Sequence, residues 1–117
     1  MDKAWKVAER EVAEVLGGER VPVTGRQRGH APDVEHPWLA IEVKNTRKFP
    51  KWLSEAFSQA IASKIQAESK GSQEKLPVVI IKPHRTNIRN GYVMLQVSDF
   101  VEWFGDVSRV AKKEAKV

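Results

Sequence analysis

The sequence contains no cysteine. This excludes disulfides, thiolate zinc sites, iron–sulfur clusters and a cysteine nucleophile together. Long apolar runs are missing as well. The longest, Leu76 to Ile81, includes Pro77 and falls far short of the roughly 20 residues a membrane-spanning helix needs. The first residues, Met1-Asp2-Lys3-Ala4-Trp5-Lys6, lack the apolar centre of a signal peptide. No glycine pattern matches a P-loop or a dinucleotide fingerprint, and no serine stands in a G-x-S-x-G turn. The three histidines, His30, His36 and His84, show no ligand spacing and read as ordinary loop residues. These absences predict a soluble, cytoplasmic protein without a membrane partner, and leave few residue types to do chemistry.

What the chain does have is charge and a sufficient core. With 117 residues, 41% of them hydrophobic, it has room for a single domain spanning 1–117, with 110–117 as a frayed basic tail. Twenty Lys and Arg against fifteen Asp and Glu give a net charge of +5. Three stretches are basic with no acid inside them: Arg26 and Arg28; Lys44, Arg47, Lys48 and Lys51; and Lys82, Arg85 and Arg89. Such patches attract polyanions, nucleic acid first among them.

Periodicity supplies the elements. Trp5, Ala8, Val12, Val15 and Leu16 recur at spacings of three and four, which predicts a helix ending at Gly17-Gly18. Arg20 to Val23 reads as a short edge strand, limited by Pro22, and Thr24 to Pro32 as a loop. Trp38 to Lys44 alternates, with Leu39, Ile41 and Val43 on one face, and predicts a strand. A second helix runs from about Lys51 or Trp52 to Ser69, with Lys64 falling inside its apolar face. Val78 to Ile81 reads as a buried strand, Asn90-Gly91 as a turn and Tyr92 to Val97 as another strand. Ser98 is placed to cap a last helix whose face is Phe100, Trp103, Phe104 and Val107. The order α-β-β-β-α-β-β-α implies an α/β sandwich around a mixed sheet.

The chemistry that survives elimination is Pro32-Asp33 followed by Glu42-Val43-Lys44. Glu42 and Lys44, two apart on a strand, share a face. If Glu35-His36-Pro37 reverses the chain so that Val34 meets Trp38, Asp33 lies near Leu39 or Ala40, roughly 7–8 Å diagonally from Glu42. Two carboxylates so placed can share a hard divalent cation such as magnesium, with the Val43 carbonyl as a third protein ligand. Lys44 beside it would orient or help deprotonate the attacking water, or neutralise charge developing on a phosphate. On the first helix Glu9 lies at one rim of the apolar face and Glu11 at the other, and periodicity alone does not choose between them.

These pieces resemble the PD-(D/E)xK nuclease superfamily, and more narrowly the archaeal-type and phage Holliday junction resolvases. The resemblance rests on Pro32-Asp33, Glu42-Val43-Lys44, Ala8-Glu9-Arg10-Glu11 and the basic run Lys44-Asn45-Thr46-Arg47-Lys48. It covers residues 4–104 in element order, with literal identity confined to those segments. It implies a restriction-endonuclease-like mixed β-sheet flanked by helices, and it favours Glu9 over Glu11 as the helix glutamate of the site. The implied catalytic set is Glu9, Asp33, Glu42 and Lys44, with magnesium or manganese held by Asp33, Glu42, the Val43 carbonyl and, directly or through water, Glu9. Arg10, Arg26, Arg28, Arg47, Lys48, Lys51 and Gln59 are the implied DNA-binding residues; in some members a glutamine at the Gln59 position faces the site. Resolvases often carry a serine in the loop before the aspartate, whereas here Thr24 is the nearest hydroxyl.

The implied activity is metal-dependent hydrolysis of branched DNA, four-way junctions first, by a homodimer in the cytoplasm, that of the host if the chain is phage-encoded. The alternatives are a nick, flap or repair endonuclease, a sequence-selective one, and a non-catalytic DNA-binding recombination accessory. Size favours structure selectivity, since little chain is left over for an element that reads bases in a groove.

Overall fold

The computed structural model describes residues 3–21 and 32–105. Residues 24–31 of the expected loop, with Arg26 and Arg28, and the expected basic tail lie outside those residues. The described chain is mixed α/β and divides into two compact units: Met1–Arg47 with Val101–Val117, and Lys48–Phe100. Among the described residues no helix is long and apolar enough to cross a membrane.

In the first unit, helix α1 spans Ala4–Leu16. Gly17 ends it in the left-handed region, φ 79°, where a side chain would be strained. The Gly18 N–H then closes on the Ala13 carbonyl at 2.8 Å. The inward face is turned relative to the expected one. Glu9 and Ala13 are its buried centre, while Val15 is exposed and Trp5 sits at the rim. Strand β1 (Glu19–Arg20) runs antiparallel to β2 (Val34–Glu35), pairing Glu19 with Glu35 and Arg20 with Val34. Val34 is fully buried and anchors this small core.

The strand expected over Trp38–Lys44 is reduced to one bridge, Val34 with Ile41. The reason is His36. Its Nε2 lies 2.8 Å from the Leu16 carbonyl, and its Nδ1 lies 3.3 Å from the amide nitrogens of both Trp38 and Leu39. Donating to a carbonyl through Nε2 leaves Nδ1 as the acceptor, which assigns the tautomer. The ring thus takes amides that a strand partner would otherwise bind. It also widens the turn, so Val34 faces Ile41 rather than Trp38 and the register places Asp33 opposite Glu42 instead of near Leu39 or Ala40.

In the second unit, helix α2 spans Lys51–Ser69 and buries Leu53. Strands β3 (Val79–Ile81) and β4 (Tyr92–Met94) form an antiparallel pair, with Ile80 opposite Val93. The β-branched run is not the buried strand expected: Ile80 and Val93 present one exposed apolar pair. A 3₁₀ turn, Ile88–Asn90, occupies the Asn90-Gly91 region, and the Asn87 carboxamide accepts the Arg89 N–H at 2.9 Å. The Lys64 ammonium bridges Glu68 at 2.7 Å and the Lys75 carbonyl at 2.8 Å, tying α2 to the segment that leads into β3.

Residues 97–105 are helical, so the strand expected to reach Val97 stops at Met94 and Ser98 falls inside the first helical turn rather than capping it. The Phe100 N–H bonds the Gln96 carbonyl at 3.0 Å, which starts the helix before Ser98. Among the described residues the strands pair as two separate two-stranded antiparallel sheets, where the sequence predicts one mixed sheet. Each strand has only two or three residues, and each pair is antiparallel.

Candidate functional site

The first unit holds a hollow of about 310 Å³ lined by Trp5, Glu9, Asp33, Val43, Lys44 and Asn45. Two carboxylates and one ammonium thus come from three separated stretches of sequence. Asp33 is set by its backbone on both sides. Its carbonyl accepts the Val21 N–H at 2.9 Å, and its own N–H donates to the Ile41 carbonyl at 3.0 Å. Its side chain then turns to accept the Val43 N–H at Oδ2, 2.6 Å away. This short charge-assisted bond fixes the segment that carries Lys44. Asp33 is only 7% exposed.

Glu9 is more deeply placed, at 2% exposure, whereas Glu11 is exposed. A carboxylate so deep needs a counter-charge. Arg20 supplies one, its Nε 3.4 Å from Glu9 Oε1, while its guanidinium lies 5.7 Å from the Trp5 ring centroid. Sequence reasoning passed over Arg20, Trp5 and Asn45. For Arg20 a signal existed: the glycine turn after α1 sends the chain back along the helix, and Arg20 is the first cation it carries.

The other expected residues distribute as follows. Glu42 is exposed and does not line the hollow; Val43 lines it and gives its N–H to Asp33. Arg10 and Arg47 are exposed on the first unit. Lys48, Lys51 and Gln59 are exposed on the second, with Lys51 3.8 Å from Glu55 across one helical turn. Lys64 belongs to the clamp on Glu68 and Lys75.

The donors in the hollow are hard oxygens, together with one cationic nitrogen, that of Lys44, which can bind an anion. Among the described residues no three His, Asp or Glu side chains gather into a metal cage. A pair of carboxylates, however, is what magnesium ordinarily takes, its remaining positions going to water and phosphate oxygens. The donor chemistry therefore fits a magnesium ion held by Glu9 and Asp33, with Lys44 left to face an anion. Compared with known proteins, the chain matches no family model, no curated protein and no solved structure.

Proposed function

We propose that this protein is a magnesium-dependent, structure-selective DNA endonuclease whose substrate is branched DNA, four-way junctions foremost. The observation that carries this reading is the convergence of Glu9, Asp33 and Lys44 on one hollow, in a chain of net charge +5. The reading treats the element order as a restriction-endonuclease-like core.

In this mechanism Glu9 and Asp33 would hold the metal together with the Val43 carbonyl, and Glu42, exposed and outside the hollow, would join them only in the DNA complex. Magnesium, when bound, acts as a Lewis acid on the scissile phosphate. Arg20, 3.4 Å from Glu9 Oε1, offsets its charge and orients its carboxylate. The Val43 N–H holds the Asp33 carboxylate and, through the chain, the position of Lys44. Lys44 orients the attacking water and offsets charge developing on the phosphate. Arg10, Arg47, Arg26 and Arg28 take backbone phosphates, which selects shape without reading bases. Symmetric cutting of a junction requires two such sites, hence a C2 homodimer.

A second reading draws on the same contacts. Glu9 is paired with Arg20 and Asp33 with the Val43 amide, which is also what a purely structural pair of carboxylates in a DNA-binding accessory would do. A labelled four-way junction incubated with magnesium or EDTA, beside a linear duplex of the same arms, separates them. Metal-dependent nicks near the branch point, absent from the duplex, are the expected result. Cutting of both substrates would move the assignment to a general or repair nuclease, and stable binding without cutting would favour the accessory.

A further inference from the structure

From Val43 to Ser54 the sequence has four basic residues and no acidic one, and within it Lys48-Phe49-Pro50-Lys51-Trp52 interleaves lysines with aromatics. All five are exposed in the second unit. Helix α2 begins at Lys51, and its inward direction is set by Leu53, which is buried. Trp52 precedes Leu53 by one residue, about 100° around the helix, and is left 59% exposed, while Phe49 is 51% exposed. Two large rings standing half in water bury little of the area that makes aromatics worthwhile in a core. Phe49 uses one side to line an apolar groove with Phe57, Ile61, Met94, Leu95 and Val97, which fixes the ring while its remaining surface faces out. Lysines on a flexible stem beside fixed rings are the composition that binds single-stranded nucleic acid: rings stack on bases, ammonium groups take phosphates.

We infer that Lys48, Phe49, Lys51 and Trp52 form a stacking platform for unpaired nucleotides. The run carries no acid of its own, and the Lys51–Glu55 pair is long, at 3.8 Å, and exposed, so the charge favours a polyanion over an apolar partner, and the rings select unstacked bases over a closed duplex, whose bases are inaccessible to them. The inference deepens the branched-DNA reading, since junctions and flaps expose such nucleotides, and rests on it only for its biological substrate.

The test is binding, not cutting. Fluorescently labelled oligo-dT of twelve nucleotides and a twelve-base-pair duplex are titrated with the full chain in EDTA, for the wild type, Trp52→Ala and Trp52→Phe. Trp52 is exposed and off the buried face, so its replacement spares the fold; circular dichroism checks this. Trp52→Ala should weaken oligo-dT binding about tenfold or more, leave duplex binding unchanged, and be restored by Trp52→Phe. Equal oligo-dT affinity of wild type and Trp52→Ala would overturn the inference, as would a wild type that prefers the duplex. Sedimentation of both proteins tests the other occupant: if Trp52→Ala dissociates a dimer yet binds oligo-dT normally, the rings join two copies of the chain and the platform is refuted. Junction cleavage with an inert Trp52 sinks the platform alone, whereas Trp52-dependent strand binding without cleavage of any substrate sinks the nuclease reading alone.

Discussion

Asp33→Asn and Asp33→Ala remove the same charge but differ in what they leave for the Val43 N–H, which now donates to Asp33 Oδ2 at 2.6 Å. Asparagine keeps an oxygen there; alanine leaves a part-buried donor unpaired, at a cost of about 1–3 kcal/mol. Asp33→Asn should therefore unfold in urea near the wild-type midpoint, with Asp33→Ala clearly below it, while both lose cleavage. Glu9 behaves in the same way toward Arg20. Glu9→Gln keeps an oxygen facing the guanidinium, whereas Glu9→Ala strands a half-buried cation and should cost about 3 kcal/mol, read from the same urea curves. Lys44→Ala removes an exposed side chain and should leave stability untouched while abolishing cleavage. Glu42→Gln is expected to lose cleavage too, and full activity in that variant would remove Glu42 from the site.

The elements meet where glycine lets backbones approach. A methyl group on Gly18 would lie 2.3 Å from the Glu35 carbonyl oxygen and 2.8 Å from a Val34 methyl, so Gly18→Ala should destabilise the β1–β2 pair by about 1–3 kcal/mol, measured by thermal unfolding. In the second unit, the hydrogen bond to Glu68 raises the Lys64 ammonium above its ordinary lysine range, against some desolvation, with Glu68, Glu74 and Asp99 adding attraction. A raised value in the folded state means the clamp stabilises fully below about 10.5 and is lost as pH rises through the elevated value. Lys64→Met should thus be less stable than wild type at pH 8, with the gap closing at strongly alkaline pH. Both helices were legible from spacing to within a residue or two, because Gly17 and the Trp52–Ser69 pattern punctuate them. The strand over Trp38–Lys44 was not. Alternation says which residues share a face but not whether a partner strand exists, and here the His36 ring binds the amides of Trp38 and Leu39 instead.

At the scale of the molecule, the sequence reading set Asp33 beside Glu42 and Lys44 through a hairpin and left Glu9 at a helix rim, whereas the hollow takes in Glu9, Asp33, Val43 and Lys44 and not Glu42. Buried, Glu9 meets Arg20, a contact made through tertiary packing that periodicity does not encode. The expected mixed sheet was illegible for a related reason: apolar runs identify strands but do not say which strand pairs with which, and among the described residues they pair as two separate sheets. If the basic residues contact DNA phosphates as proposed, affinity should fall with salt through counterion release. Arg47→Ala should lower the slope of log affinity against log salt by about one, and an unchanged slope would exclude Arg47 from phosphate contact. The central claim is the chemistry of the hollow. It is tested most directly by junction cleavage in magnesium with wild type and Asp33→Asn side by side. The account predicts paired nicks at the branch point for the wild type, none in EDTA, and none for a folded, junction-binding Asp33→Asn. Cleavage by Asp33→Asn at the wild-type rate would contradict it.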